Sequence, residues 1–333
     1  MGGWGQGPGG RSLAPLFLRL PLGPDVATIA TYTTDVLAAL NDPLAQFYTS
    51  SNLTTWINRA RTDTAKASWC IRRLTPSSAS VTAITPGSVG SGYTTATVTI
   101  SGPDAIGNGF VTATATANIV GGQITSYSIG NAGSGYVANP TITITGDGSG
   151  ATATATLGAH MATAANQEIV PFSALTTAIQ TASDGAGIQA VVAVLDVAVS
   201  QGALRPSLDF QPWAAFQAYF RAINQGASWP AMWTQFGRDE NGQVWFFPVP
   251  QGVYEIQADC ICTPAAISGT QTIDLIPDNL YQAVVDRACY YAYRSAQRKD
   301  DANDMKESWK ERCADAAQYA FPGRTPTFYD YES

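Results

Sequence analysis

The sequence predicts an α+β fold: a mostly helical domain with a small antiparallel sheet, interrupted by an inserted all-β repeat domain. Three observations carry this. Residues 78–160 contain no Lys, Arg, Glu, Trp or Met, yet hold 15 of the chain's 31 glycines. The same stretch alternates Thr with apolar residues at period two, whereas the flanks space apolar residues as helices do. Finally, "VGSGYTTATVTISG" (89–102) returns as "AGSGYVANPTITITG" (132–146), and self-similarity of this kind marks a small unit used twice.

Residues 1–25 form a Gly/Pro-rich arm that is not expected to fold. Arg19 and several prolines break its apolar run, so it does not read as a signal peptide. The main domain is discontinuous, 26–77 and 161–320. "TTDVLAALND" reads as a short helix stopped near Pro43. Ser51 or Asn52 is expected to cap a longer helix through "LTTWINRARTDTAKASWCIRRL", ending by Thr75-Pro76. Leu53, Ile57, Ala60, Thr64, Ala67 and Ile71 make its buried stripe, with Arg59, Arg61, Lys66, Arg72 and Arg73 on other faces.

The insert, 78–160, divides into copies at about 81–120 and 124–157. Each reads as strand, GSGY turn, strand, glycine loop, strand. "VTAIT" (81–85) aligns with "ITSYS" (124–128) and, after one extra residue in the second copy, "TVTISG" (97–102) with "TITITG" (141–146). The turns are Gly90, Gly92 and Tyr93 in the first copy and Gly133, Gly135 and Tyr136 in the second. Their glycines supply positive φ, and the two tyrosines are expected to occupy equivalent places. Neither copy alone buries enough surface to be stable.

After the insert, "NQEIVPF" and "GIQAVVAVLDVAVSQG" read as strands, and "DFQPWAAFQAYFRAIN" as a short helix with Pro212 near its first turn. "RDENGQVWFFPVP" carries Asn241-Gly242 between strand-like residues, a hairpin pattern. "GVYEIQADCICTP" is the next strand, with Tyr254, Ile256 and Ala258 on one face. "IPDNLYQAVVDRACYYAYRSAQ" and "DDANDMKESWKERCADAAQYA" form a helical pair broken at 298–301. The tail, 321–333, has aromatics without periodicity.

Equipment for chemistry is missing. The only histidine, His160, lies in an Ala/Gly-rich linker, which leaves no base for a nucleophile. Asp300/Asp301, Asp239/Glu240 and Asp304/Glu307 lie in polar stretches, where two carboxyls are not driven to different pKa values. Five cysteines at irregular spacing form no disulfide framework, and Cys260/Cys262 lack a second ligand pair for zinc. The GSGY loops lead into strands rather than helices, so they do not cradle phosphate. "GDGSG" offers one aspartate, too few oxygens for calcium. No apolar run spans a membrane, and a net charge of −7 opposes a non-specific grip on nucleic acid. The expectation is a non-enzyme with no catalytic, cofactor or metal site.

Four segments, 40–65, 205–221, 243–260 and 275–297, in their order and spacing, resemble tailed-phage head-to-tail adaptor (neck or connector) proteins. The likeness covers nearly all of the chain outside the arm and the insert. It implies a structural virion protein: a dodecameric homo-oligomeric ring docked under the portal protein, extending the DNA channel toward a tail or nozzle protein. DNA would pass without specific binding. Its place would be the virion neck, with assembly in the host cytoplasm. By location, 302–333 would engage the portal, which makes Trp309, Phe321, Phe328, Tyr329 and Tyr331 candidate interface residues. Trp213, Phe216, Tyr219 and Phe220 are more aromatic than one small helix face needs; subunit interface and intradomain core both remain open for them. The insert departs from the minimal pattern and is expected to decorate the ring periphery. The alternatives are a glycan-binding adhesin, with the repeats as binding module, and a hydrolase.

Overall fold

The computed structural model describes residues 27–76, 79–182, 184–200, 204–220, 222, 226–269 and 274–319. The chain opens with helix α1 (Ile29–Ala39), where the Thr28 side chain accepts from the Thr31 N–H and Thr31 Oγ1 accepts from the Thr28 N–H, a reciprocal cap. Helix α2 (Ser50–Ser68) is capped by Thr49, not by Ser51 or Asn52. It stops at Trp69, whose φ of 54° is left-handed, so the expected continuation toward Pro76 becomes strand β1 (Arg72–Leu74).

Strands β2 (Val81–Ser91), β3 (Ala96–Ile100), β4 (Thr114–Val120), β5 (Gln123–Asn131), β6 (Ile142–Gly146) and β7 (Ser149–Leu157) come next. The chain continues through β8 (Ile169–Pro171), α3 (Phe172–Thr181), β9 (Ile188–Val199) and β10 (Asp209–Phe210). A single turn, α4 (Trp213–Ala215), runs into a π-helical turn, Phe216–Phe220. Strands β11 (Met232–Phe236), β12 (Gln243–Phe247) and β13 (Ile256–Pro264) and helices α5 (Tyr281–Ser295) and α6 (Lys299–Tyr319) complete it.

The expectation of a mostly helical domain with a small sheet is wrong. The structure is about 31% helix and 33% strand, with several small sheets. Among the described residues outside 79–157 there are two: β1-β13-β9, and β10-β11-β12-β8 with β10 and β11 parallel. Strand β13 is the middle member of the first and is buried on both faces, so its apolar run is continuous rather than alternating. The helix expected through 209–224 keeps only one α turn, because Phe210 belongs to β10 and Pro212 starts the turn. Asn241-Gly242 is not the hairpin turn itself. β11 and β12 pair antiparallel, but a 3₁₀ turn at Asp239–Asn241 fills their longer connection.

One hydrophobic core joins Tyr32 and Val36 of α1, Leu53 and Ile57 of α2, both sheets, and α5 and α6 as far as Cys313. Within it sits a charge the sequence placed at the surface: Arg61 is 2% exposed and ion-paired to Asp274, itself buried. Arg61 also donates to the Ala265 carbonyl at 2.8 Å and to Asn58 Oδ1 at 3.1 Å. Asp274 accepts from the Tyr32 hydroxyl at 2.9 Å. Each polar group in this network has a partner, which is the condition for tolerating buried charge. Ala67 is exposed instead, because Ser68 takes the inward position at the end of the helix.

Residues 79–157 gather around a second core of Val81, Ile84, Ile100, Ala113, Tyr136 and Ala155. Its strand pairing crosses between the repeats. β2 of the first copy pairs with β7 of the second, β5 of the second with β4 of the first, and the middle strands β3 and β6 with each other. Each copy's first strand therefore meets the other's third, the pattern of a two-fold relation. This pairing rests against residues 252–256. The Ala79 N–H donates to the buried Glu255 carboxylate at 3.1 Å, and the Ile106 N–H to the Val253 carbonyl at 2.8 Å. His160 lies between two backbone carbonyls, with Nδ1 3.0 Å from that of Gly158 and Nε2 3.1 Å from that of Val137.

Candidate assembly surface

The chain leaves α2 through a left-handed turn at Trp69, whose side chain is 43% exposed. A bulky residue at positive φ is sterically costly and is held there by its surroundings. Trp69 and Lys66 form one wall of a groove of about 740 Å³. Residues 192–195 of β9, Phe210, Trp213 and the end of β11 supply the rest. Pro212 fixes an extended backbone just before the α4 turn, and this projects Trp213 into the wall. There Trp213 meets Phe236 with ring centroids 4.5 Å apart and Trp245 at 5.3 Å. Behind it Phe216 and Trp233 are buried, while in front Phe210 and Phe236 are 55% and 46% exposed.

At the floor, Gln235 accepts from the Val194 N–H at 3.0 Å and donates to the Gly237 carbonyl at 2.9 Å, joining the two sheets. The rim charges Lys66 and Asp239 pair at 2.6 Å. Arg238 is the third charged residue of the lining, and the rest of the surface is mainly apolar and aromatic, a composition suited to protein contact.

The expected interface residues separate. Trp213 lines the groove, and Phe216 is wholly buried beneath it. Tyr219 and Phe220 lie on the π-helical turn, their side chains outside the described residues. Trp309 is occupied within the chain: its indole N–H donates to Thr64 Oγ1 at 3.0 Å, and Arg287 stacks on its ring at 4.3 Å. It fixes α6 to α2. Beside it Asp63 pairs with Arg287 and accepts from Tyr291, whose hydroxyl is pushed up to about 12 by burial and by that hydrogen bond. Phe321, Phe328, Tyr329 and Tyr331 lie outside the described residues.

Gly90, Gly92, Gly133 and Gly135 all have positive φ, between 63° and 79°. A Cβ on Gly133 would lie 2.7 Å from the Ala113 nitrogen and 2.8 Å from the Tyr136 ring; one on Gly90 would meet Ala151 and Tyr93 at 2.7 Å each. Tyr93 and Tyr136 are buried, so neither offers a sugar a stacking platform.

Several residues were missed. Trp69, Phe210 and Phe236 come from three separate segments, and nothing in the sequence marks them as one surface. Asp104 and Asp147 are separated by 43 residues, as Tyr93 and Tyr136 are, and this offset could have revealed them. Asp147 accepts from the N–H groups of Thr94 and Thr95 at 2.9 and 3.0 Å, just past the first GSGY turn. Asp104 accepts from Val137 and Ala138 at 2.8 and 3.1 Å, just past the second. Each copy's aspartate secures the other copy's turn.

The cysteines are free thiols; burial pushes Cys262, Cys289 and Cys313 each up to about 12. Among the described residues no cluster of three or more His, Cys, Asp or Glu could hold a metal, and no helix is long and apolar enough to cross a membrane.

The family model described as SU10 adaptor protein matches residues 144–325, more than half of the 333-residue chain. The match begins in β6 and runs past the end of α6, leaving α1, α2 and β1–β5 outside it. No curated protein matches the sequence.

Proposed function

Because the chain belongs to the SU10 adaptor protein family, we propose that it works as a head-to-tail adaptor: a ring of identical copies docked on the portal protein, continuing the DNA channel toward a tail or nozzle protein. The family match carries this reading, and the aromatic groove is the physical feature that fits it. A ring subunit needs a second sticky surface beyond its own core, and large exposed apolar patches are where such contacts form. Residues 302–333, including Phe321, Phe328, Tyr329 and Tyr331, are the portal-facing segment in this reading. Trp213 belongs to the subunit interface, with Phe216 supporting it from beneath, and Trp309 anchors α6, the helix that leads into the portal-facing segment.

The weak basicity supports passage of DNA without arrest. Arg61, Arg72, Arg287, Arg298 and Arg312 are all ion-paired to carboxylates within the chain, which leaves them less available to phosphates. The chain acts as a structural protein without catalysis, located in the virion neck after assembly in the host cytoplasm. Residues 78–160 are a separately folding insertion at the ring periphery, interrupting a domain made of 26–77 and 161–320.

The test is the mass of the purified protein mixed with its portal, by native mass spectrometry. A discrete complex holding about a dozen copies is expected; a monomer that ignores the portal would overturn the assignment. A variant with 78–160 replaced by a short flexible bridge should remain soluble and still assemble. Aggregation of that variant would refute the partition.

A further inference from the structure

The loop between α1 and α2, residues 41–48, presents two apolar side chains to solvent: Leu44 is 76% and Phe47 84% exposed. The loop is not slack. The Asp42 carboxylate accepts from the N–H groups of Gln46, Phe47 and Tyr48 at 2.9, 2.9 and 3.2 Å. Tyr48 packs edge-on against Trp56 of α2 with centroids 6.1 Å apart. Asn41 and Ala45 both hold left-handed φ, 59° and 51°; Asn takes this conformation readily just after a helix, whereas Ala45 adopts it only when the surroundings compel it. The chain thus accepts strain to hold two hydrophobic side chains in water in one fixed arrangement. Preorganisation of this kind has its use in binding, because the ordering cost is already met.

The complementary surface lies at the other end of the same helix. α2 has 19 residues, so its ends stand about 27 Å apart at 1.5 Å per residue. The Leu44/Phe47 knob sits at the first end, and the groove of Trp69, Phe210, Trp213 and Phe236 at the second. Pinned to the first turns of α2, the knob cannot enter its own groove. The knob brings no open charge, since Asp42, the one charged residue in 41–48, is buried under the backbone N–H groups; in the groove Lys66 and Asp239 neutralise each other, which leaves Arg238 as the one other charged residue of the lining. Together the exposed rings and Leu44 offer roughly 600 Å² of apolar side chain, taking 150–250 Å² per aromatic. Summed over the two surfaces, that is enough for the dry core of an interface and about half of the total area that a stable one buries.

We propose that the 41–48 loop of one copy inserts Leu44 and Phe47 into the Trp69–Phe210–Phe236 groove of the next copy. The contact is heterologous, using different surfaces on each partner, so it propagates head to tail until the rotation closes a ring. It rests on the reading of the chain as a ring-forming adaptor and names which surfaces meet.

Disulfide trapping tests it. In a Cys70→Ser background, copies carrying Phe47→Cys are mixed with copies carrying Phe236→Cys, alone and on the portal, and oxidised. A covalent dimer is expected only in the mixture. Phe47→Ser should weaken self-association roughly thirty-fold, the effect of a 2 kcal/mol hot spot, while its thermal melting stays that of the parent. If a ring of about a dozen copies assembles, yet no 47–236 link forms and Phe47→Ser assembles normally, the docking is wrong and the ring stands. Were Phe236→Ser to lose portal binding but keep self-association, the groove would belong to the portal. If no assembly occurs in any mixture, both readings fall.

Discussion

Of the largest side chains wholly withdrawn from water, Trp233, Arg61, Tyr32, Tyr254, Phe172 and Phe216 lie outside residues 79–157, while that segment contributes Tyr136 and Ile124. The two regions are cohesive by different means. The first buries bulk and even charge, and depends on long-range side-chain networks that must be complete. The second buries little, and relies on ladders, glycine turns and backbone capping exchanged between two copies. Truncating a side chain should therefore be most costly in the first, and adding one methyl group most costly in the second.

The largest effect is expected from Arg61→Met. It leaves Asp274 as a buried carboxylate without its cation, at a cost of about 3–5 kcal/mol, readable as a lower midpoint in chemical denaturation. Arg59→Met, one turn-face away, removes only a cation–π contact to Tyr291 and should cost no more than about 1 kcal/mol. Equal losses for the two would mean that the buried network is not what ties α1 and α2 to Ala265 and Asp274.

In 79–157 the sharpest test is a methyl group. Gly133→Ala combines positive φ with a Cβ 2.7 Å from backbone, and is expected to cost about 3 kcal/mol. Gly90→Ala should match it, since its Cβ meets the corresponding atoms 2.6–2.7 Å away. Gly109→Ala has positive φ but open space around it, so about 1 kcal/mol is expected. Hydrogen exchange of the β2–β7 ladder reads all three, and unequal effects at 90 and 133 would break the two-fold relation. A smaller asymmetry sits in the tyrosines. The Tyr136 hydroxyl accepts from the Ala113 N–H at 2.8 Å and donates to the Ser101 carbonyl at 3.0 Å, so Tyr136→Phe should cost about 1–2 kcal/mol. Tyr93→Phe should stay below about 0.5 kcal/mol.

Legibility in the sequence followed the same division. The strands of 79–157 are local: Thr/apolar alternation is visible within five residues, and the repeat shows both turns. The stripe Leu53, Ile57, Ala60 and the α5–α6 pair are local as well. Arg61 was not legible, because its neighbours in sequence describe an exposed charge and its partner Asp274 lies 213 residues further on. Helix α3, "FSALTTAIQT", has neither charge nor a polar face of the usual kind, so its 3.6-residue period did not stand out. The groove is assembled from 66–69, 192–195, 210–213 and 235–239. None of these is unusual alone, and only folding makes them one surface.

Acid should expose the last difference between the regions, with opposite signs at two carboxylates. The Thr94 hydroxyl, aided by the Thr95 and Thr94 N–H groups, holds the Asp147 carboxyl well below its ordinary range. Its folded value lies beneath its unfolded one. The stabilisation it gives to the GSGY turn is therefore whole above about pH 4 and is withdrawn as pH falls through the depressed value. At Glu255, burial pushes the carboxyl up, against the opposing pull of the Ala79 N–H. Its folded value lies above its unfolded one, so the folded state is favoured as pH falls through that value and penalised above it. Melting Asp147→Asn and Glu255→Gln variants between pH 3 and pH 7 separates the two. Asp147→Asn should flatten the acid loss of 79–157, and Glu255→Gln should remove the neutral-pH penalty where that segment meets residues 252–256. If Asp147→Asn leaves the acid profile unchanged, the crossed capping of the turns is not a source of the segment's stability.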